Sequence, residues 1–326
     1  MPDNNIYFDY QASTPLDKRV LSAMLPFMDS FVGNPMSMHW AGAKANEAVE
    51  KSRDTIASLL NVDPEEIIFT SGATEAINLL LKGMAWGLKE RGNHIITTRI
   101  EHKAVLETCR NLENNGFEIS YADVDQDGFI RMEELGKLIR SDTIILAIGH
   151  ANNEIGVIQN LEEISSMVKP KGIHLFSDCA QSFGKVDFDF NKIDSFAFSG
   201  HKIYGPMGSG GLYINMKWQS RFLKSIHGGG QEHGFRSGTQ NVAAIVGLAE
   251  ACRICWKEKT KENIRLKAMR DSLWRKIKSE LNDAELNGGL DNRLFGNINF
   301  SISSACCYLG RDLSRGLWPL AKFART

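Results

Sequence analysis

The sequence predicts an α/β protein built on a mainly parallel sheet covered on both faces. Three observations predict it: short β-rich runs alternate with helix-period stretches, the gaps between most runs leave room for helical crossovers, and small or polar clusters follow the runs. After an arm at 1–16, a helix is expected over 40–60, then strand EIIFT (66–70), helix 74–92, strand HIITTR (94–99) and helix 104–115. The alternation continues through EISYA (118–122), a helix from Arg131, TIILAI (143–148), a helix from Leu161 and HLFSD (174–178). SFAFSG (195–200) and GGLYIN (210–215) have too little between them for a helical crossover, so an antiparallel edge is expected. From about 256 the character changes to a long basic amphipathic helix, with Leu266, Met269, Leu273, Ile277 and Leu281 on one stripe. The expected division is an arm at 1–16, a large domain at 17–255 and a smaller, incomplete C-terminal α/β domain at 256–326.

Composition narrows the partners. The 326 residues carry a formal charge of −1, with 43% hydrophobic and 24% charged residues, which gives no electrostatic reason to expect direct contact with nucleic acid or an acidic membrane. A small-molecule ligand is the better expectation. The start has no basic segment followed by an apolar one, and no run reaches the roughly 18 apolar residues of a spanning helix, so a cytoplasmic protein is expected. The six cysteines lack the density and spacing of a disulfide framework. Cys252 and Cys255 form a CxxC inside an apolar run, and read best as buried helix thiols. No metal site is expected.

One motif suggests calcium on paper. Asp123, Asp125, Asp127, Gly128 and Glu134 fit the EF-hand pattern, but what precedes them alternates like a strand and Arg131 takes the ninth position. A strand, a DQDG turn and a helix explain the same residues.

Ligands of open α/β sheets lie beyond the carboxyl ends of the strands, so the residues just after each run come first. After IIFT comes Ser71-Gly72-Ala73-Thr74-Glu75, a small-residue turn into a helix, suited to an anion such as a phosphate. After TIILAIG comes His150-Ala151-Asn152-Asn153-Glu154; after HLFS, Asp178 and Gln181; after SFAF, Ser199-Gly200-His201-Lys202. Each is weak evidence taken singly. Together they supply a lysine for a Schiff base, a carboxylate for a pyridine nitrogen and a phosphate cradle, which is what pyridoxal 5′-phosphate (PLP) requires. A glycine-rich stretch beside Lys202 favours its desolvation, and hence nucleophilicity.

SGATEA (71–76), RIEHKAVL (99–106), HANNEIGVIQ (150–159), SDCAQSFGK (177–185), FAFSGHKIYGPMGSGGLY (196–213) and HGGGQEHGFRSGTQN (227–241) resemble the cysteine desulfurases, class V aminotransferases of the fold type I PLP group. The resemblance runs in order from YFDYQASTPLD (7–17) to GNINFS (296–301). It implies a seven-stranded, mainly parallel sheet flanked by helices, with Lys202 forming the Schiff base and Asp178 the partner of the pyridine nitrogen. It further implies that Ala73, Thr74, Ser199 and His201 hold the phosphate, that Thr239 reaches the phosphate of the neighbouring subunit's cofactor, and that His102 stacks on the ring. Asn153 and Gln181 would bond near the ring oxygen and substrate. The implied protein is a homodimer converting L-cysteine to L-alanine, with sulfur left as a persulfide on an enzyme cysteine for iron–sulfur assembly or tRNA thiolation. A sulfur-acceptor or iron–sulfur scaffold protein would be its partner. Among the other histidines, His227 heads the GGGQEHG run and is the best functional candidate.

The sequence departs from the family after Ser301. The family carries roughly 25 more residues there before a small-residue loop with the nucleophilic cysteine, whereas this chain goes directly to Ile302-Ser303-Ser304-Ala305-Cys306-Cys307. One reading makes Cys306 the persulfide carrier after an internal deletion. The other has the reading frame changing near Ser301, with the true loop lost; it accounts better for a tail that also lacks the arginine expected to grip the substrate carboxylate. Two alternatives accompany the desulfurase reading: a related class V aminotransferase or selenocysteine lyase, and a truncated PLP-binding protein without turnover.

Overall fold

The computed structural model describes residues 6–302. Asp17 caps α1 (Lys18–Met24), its carboxylate accepting from Arg19 N, and α2 (Pro26–Asp29) follows. His39 caps α3 (Trp40–Leu60), which ends at Asn61 in the left-handed conformation. The alternation then runs β1 (Ile67–Thr70), α4 (Ala73–Gly87), β2 (His94–Thr98), α5 (Lys103–Glu113), β3 (Glu118–Ala122), α6 (Met132–Leu138), β4 (Thr143–Gly149) and α7 (Leu161–Val168). It closes with β5 (His174–Asp178), β6 (Ser195–Ser199), β7 (Gly210–Ile214), α8 (Met216–Gln219), α9 (Val242–Glu280), β8 (Ala284–Leu286) and β9 (Phe300–Ile302). The helix expected over 74–92 stops at Gly87, where the backbone of Arg221 packs against the glycine and leaves no room for a Cβ.

The seven-stranded sheet has the order β1-β7-β6-β5-β4-β2-β3. β7 pairs antiparallel with both β1 and β6, and every other pairing is parallel, so six strands point the same way. The expected antiparallel edge is therefore corrected: the reversed strand lies inside the sheet. Its far partner, β1, lies about 140 residues earlier in the chain and is invisible to local spacing. Side chains alternate between two cores, as a sheet covered on both faces requires. Phe69, Ile96, Leu146, Phe196 and Phe198 pack with α3 and α9, while Ile68, Ile95, Ile145 and Ala197 pack with α4 and α5.

α9 is continuous across the change in character near residue 256. Its buried stretch includes Cys252 and Cys255, whereas farther along Met269 and Leu281 are exposed. β8 and β9 form a separate two-stranded ribbon beyond it, and Trp274 of α9 contacts Phe300 of β9 with ring centroids 5.9 Å apart. At the DQDG turn a strand leads in, and Asp125 Oδ1 accepts from the backbone N–H groups of Asp127 and Phe129, closing a turn in the manner expected.

Candidate active site

A cavity of about 670 Å³ opens beyond the carboxyl ends of the parallel strands, within the usual range for a small-molecule site. Ala73, Thr74, His102, Asn153, Asp178, Gln181, Ser199, His201 and Lys202 all line it. The sheet explains the convergence. Gly149 at the end of β4 pairs with Asp178, and Asp178 pairs with Ala197 of β6, so adjacent strands deliver the asparagine loop, the aspartate and the lysine turn side by side.

Lys202 sits in the short connection between β6 and β7, partly buried rather than enclosed. Its Nζ donates to the carbonyl oxygens of Gln11 at 2.6 Å and Ala12 at 2.8 Å, so the N-terminal arm holds the amine. The desolvation expected from the glycine-rich stretch is partial. The Gln11 carbonyl also accepts from Gln181 Nε2 at 3.1 Å, and its side-chain oxygen accepts from Asn297 Nδ2 at 2.7 Å. No local signal marks Gln11, because its contacts come from residues 170 or more positions away.

Asp178 is buried and accepts from Ala180 N at 2.9 Å. Burial pushes its pKa up, against the pull of that hydrogen bond and of the charges of His102 and Lys202. His102 caps α5 with Nδ1, which accepts from Ala104 N at 3.1 Å. Desolvation, with the charges of Lys202 and Lys185 behind it, lowers His201 to about 4 and leaves it neutral at ordinary pH. Asn153 Nδ2 bonds the adjacent Glu154 carboxylate at 2.6 Å.

At the start of α4, Gly72 takes a φ of 151° and provides no side-chain cap, so the first N–H groups of the helix face the cavity. A Cβ on Gly210 would come within 2.6 Å of Gly72, so β7 packs directly beneath this turn. Among the described residues the buried Gln181 Oε1 has no hydrogen-bond partner. An uncapped helix start, an unpartnered amide oxygen and a buried carboxylate on one wall match the phosphate, the polar ring substituents and the pyridinium of PLP respectively.

Two sequence-picked residues lie elsewhere. Thr239 is exposed and lines a neighbouring depression with Phe69, Ser71, Arg236 and Gln240, while His227 is exposed and lines neither cavity. Cys306 and Cys307 lie outside the described residues.

Glu101 was missed, although it lies within a motif quoted above. Its carboxylate accepts from Thr98 Oγ1 at 2.8 Å and Gly149 N at 2.7 Å, and desolvation, aided by the charge of Asp178, raises it to about 7. Because this carboxyl binds its proton more tightly folded than unfolded, the fold is weakened once Glu101 ionises. The penalty is absent below its unfolded pKa, roughly 4.3, and complete above about 7. Glu101→Gln is therefore expected to raise the melting temperature at pH 8 and leave it unchanged at pH 4. A melting series that shows the gain at low pH instead would refute this.

Known proteins bear on the same residues. The class-V aminotransferase family profile matches residues 6–308. The cysteine desulfurase IscS of Colwellia psychrerythraea is 46% identical over 303 residues, covering 91% of this chain and 75% of the relative. The chain belongs to the cysteine desulfurases. That of Pectobacterium carotovorum is 47% identical over the same shares of each chain. Among solved structures, a NifS-like protein superposes on this desulfurase with a TM-score of 0.88 at 41% identity, covering 91% of this chain and 81% of the other. SspA in complex with cysteine gives 0.81 at 37% identity, covering 91% and 84%. Lys202, Asp178 and the start of α4, which the sequence resemblance groups together, line one cavity in this desulfurase.

Proposed function

We propose that the chain is a PLP-dependent enzyme that converts L-cysteine to L-alanine and passes the sulfur to an enzyme cysteine. The observation that carries this is the convergence of Lys202, Asp178 and the uncapped start of α4 on one cavity. PLP, when bound, supplies an electron sink for the substrate α-carbon. The protein's own residues do the rest. Lys202 Nζ would hold the cofactor's aldehyde carbon and would supply the base for the proton at the substrate α-carbon. Asp178 holds the proton at the pyridine nitrogen, which also relieves the burial of its own charge.

The N–H groups of Ala73 and Thr74, the Thr74 and Ser199 hydroxyls and the neutral His201 hold the phosphate at the positive end of α4. His102 stacks on the ring, and Asn153 and Gln181 bond near the ring oxygen and substrate. Cys306 is the candidate persulfide carrier. Related activities on the same frame, an aminotransferase or a selenocysteine lyase, have no observation in their favour.

The working unit in this proposal is a homodimer, with Thr239 serving the neighbouring subunit's cofactor. The exposure of Ile6, Val32, Met38 and Trp40 supports it, since apolar side chains left open in one N-terminal segment suit a protein interface. The proposed division has an arm at 1–16, a large domain at 17–255 and a smaller one at 256–326, and the loss of burial along α9 after Cys255 supports the second boundary. Sulfur delivery to an iron–sulfur scaffold or a tRNA-thiolation acceptor, in the cytoplasm, completes the reading. No helix among the described residues is long and apolar enough to cross a membrane.

The test is to incubate the protein with PLP, L-cysteine and a thiol reductant and to measure alanine and sulfide. Equal amounts of both are expected. PLP uptake without alanine would overturn the desulfurase turnover while sparing cofactor binding.

A further inference from the structure

The loop that carries Thr239 is fastened more firmly than a surface loop needs to be. Glu232 and His233 both take left-handed φ values, 50° and 52°, which non-glycine residues rarely adopt. Glu232 is 3% exposed, and its carboxylate accepts from Arg53 Nη1 at 2.8 Å, Arg53 Nη2 at 3.2 Å, Phe69 N at 2.8 Å and Gln240 Nε2 at 2.5 Å.

Arg53 is equally buried. It donates to the Ile67 carbonyl at 2.5 Å and to Glu50, and it lies over the Phe69 ring. Two buried charges are thus satisfied in full, as they must be to persist in an interior. A second tie joins Arg236 to Glu75 at 2.6 Å, and the same Glu75 accepts from Ser71 N at 2.6 Å in the phosphate-binding turn. Thr239 itself is exposed and does not line this chain's main cavity.

A plain scaffold reading explains the Arg53–Glu232 pair, since it joins α3, β1 and the loop. It does not explain why the carboxylate spends its shortest bond on Gln240, the residue directly after Thr239. We propose that Glu232, through Gln240, is a positioning residue for Thr239, fixing the hydroxyl that a second copy of the chain receives at its cofactor phosphate. This rests on the reading of Thr239 given above. Strain in the loop backbone and the buried ion pair then serve one end: a threonine held rigidly outside its own site, so that the partner's phosphate meets it without ordering a loop.

The test measures PLP affinity of the full-length protein by fluorescence titration, with oligomeric state and melting temperature recorded alongside. The variants are Thr239→Val, Glu232→Gln, Gln240→Met and the Thr239→Val/Gln240→Met pair. Gln240→Met leaves the Arg53–Glu232 pair intact, so it carries the test even if Glu232→Gln does not fold. Each folded single variant is expected to weaken PLP binding about tenfold, and the pair about tenfold rather than a hundredfold, because both act on one contact. The dimer should persist in Gln240→Met, with the melting temperature lowered only as far as the loss of one bond to a buried carboxylate requires. Additive losses, a neutral Gln240→Met or a dissociated dimer would overturn the clamp while leaving Thr239 its role. A neutral Thr239→Val would overturn that role, and the clamp with it.

Discussion

Replacing Lys202 with alanine is expected to yield a folded protein without the Schiff-base absorbance band and with cysteine turnover lowered more than about a thousandfold. The residue occupies a connection fixed at both ends by strands, β6 before it and β7 after it, so the backbone survives the substitution. Two carbonyls, of Gln11 and Ala12, lose their donor. Because Lys202 is only partly buried, water can replace it, and the stability loss stays near 1 kcal/mol. Absorbance of the PLP-treated variant and an alanine assay check this. A chromophore still bonded through another side chain, or turnover near the parent rate, would remove the basis for the proposed chemistry.

Asp178→Asn is expected to separate catalysis from stability. An amide cannot hold the pyridine nitrogen's proton by charge, so turnover should fall by roughly a hundredfold to a thousandfold with little change in fold. Stability without cofactor should move the other way. Burial raises the Asp178 pKa, so the ionised carboxylate weakens the fold at neutral pH; that penalty disappears once pH drops below the unfolded value near 3.9. Stripped of PLP, the variant should therefore melt higher than the parent at pH 7 and equally at pH 3. Added PLP should stabilise the parent more than the variant. An asparagine variant that melts lower at pH 7 and keeps full turnover would contradict both halves of the argument.

Much of this was legible in the sequence, and what was not has a common cause. The seven strands were visible because β-branched and aromatic runs with turn residues on either side are local signals. The residues after them were readable as a site because a parallel sheet collects strand ends on one side. The interior place of β7 was not readable, since it depends on pairing Ile67 with Tyr213. The continuity of α9 was hidden because an apolar first part and a basic second part look like separate segments. Gln11 and the Arg53–Glu232 pair escaped for the reason β7 did: their partners are 170 and 179 residues away. Glu101 could have been found, as a carboxylate three residues beyond a buried strand and one residue before His102.

The β1–β7 pairing also has a kinetic consequence. β6 and β7 can form a hairpin early, at little loop-closure cost, and the lysine turn comes with it. The Ser71–Thr74 turn joins only when Thr70 docks against Gly210, a contact whose long sequence separation makes it slow to form. A chain arrested before that closure would have the turn of Lys202 formed without the start of α4 beside it.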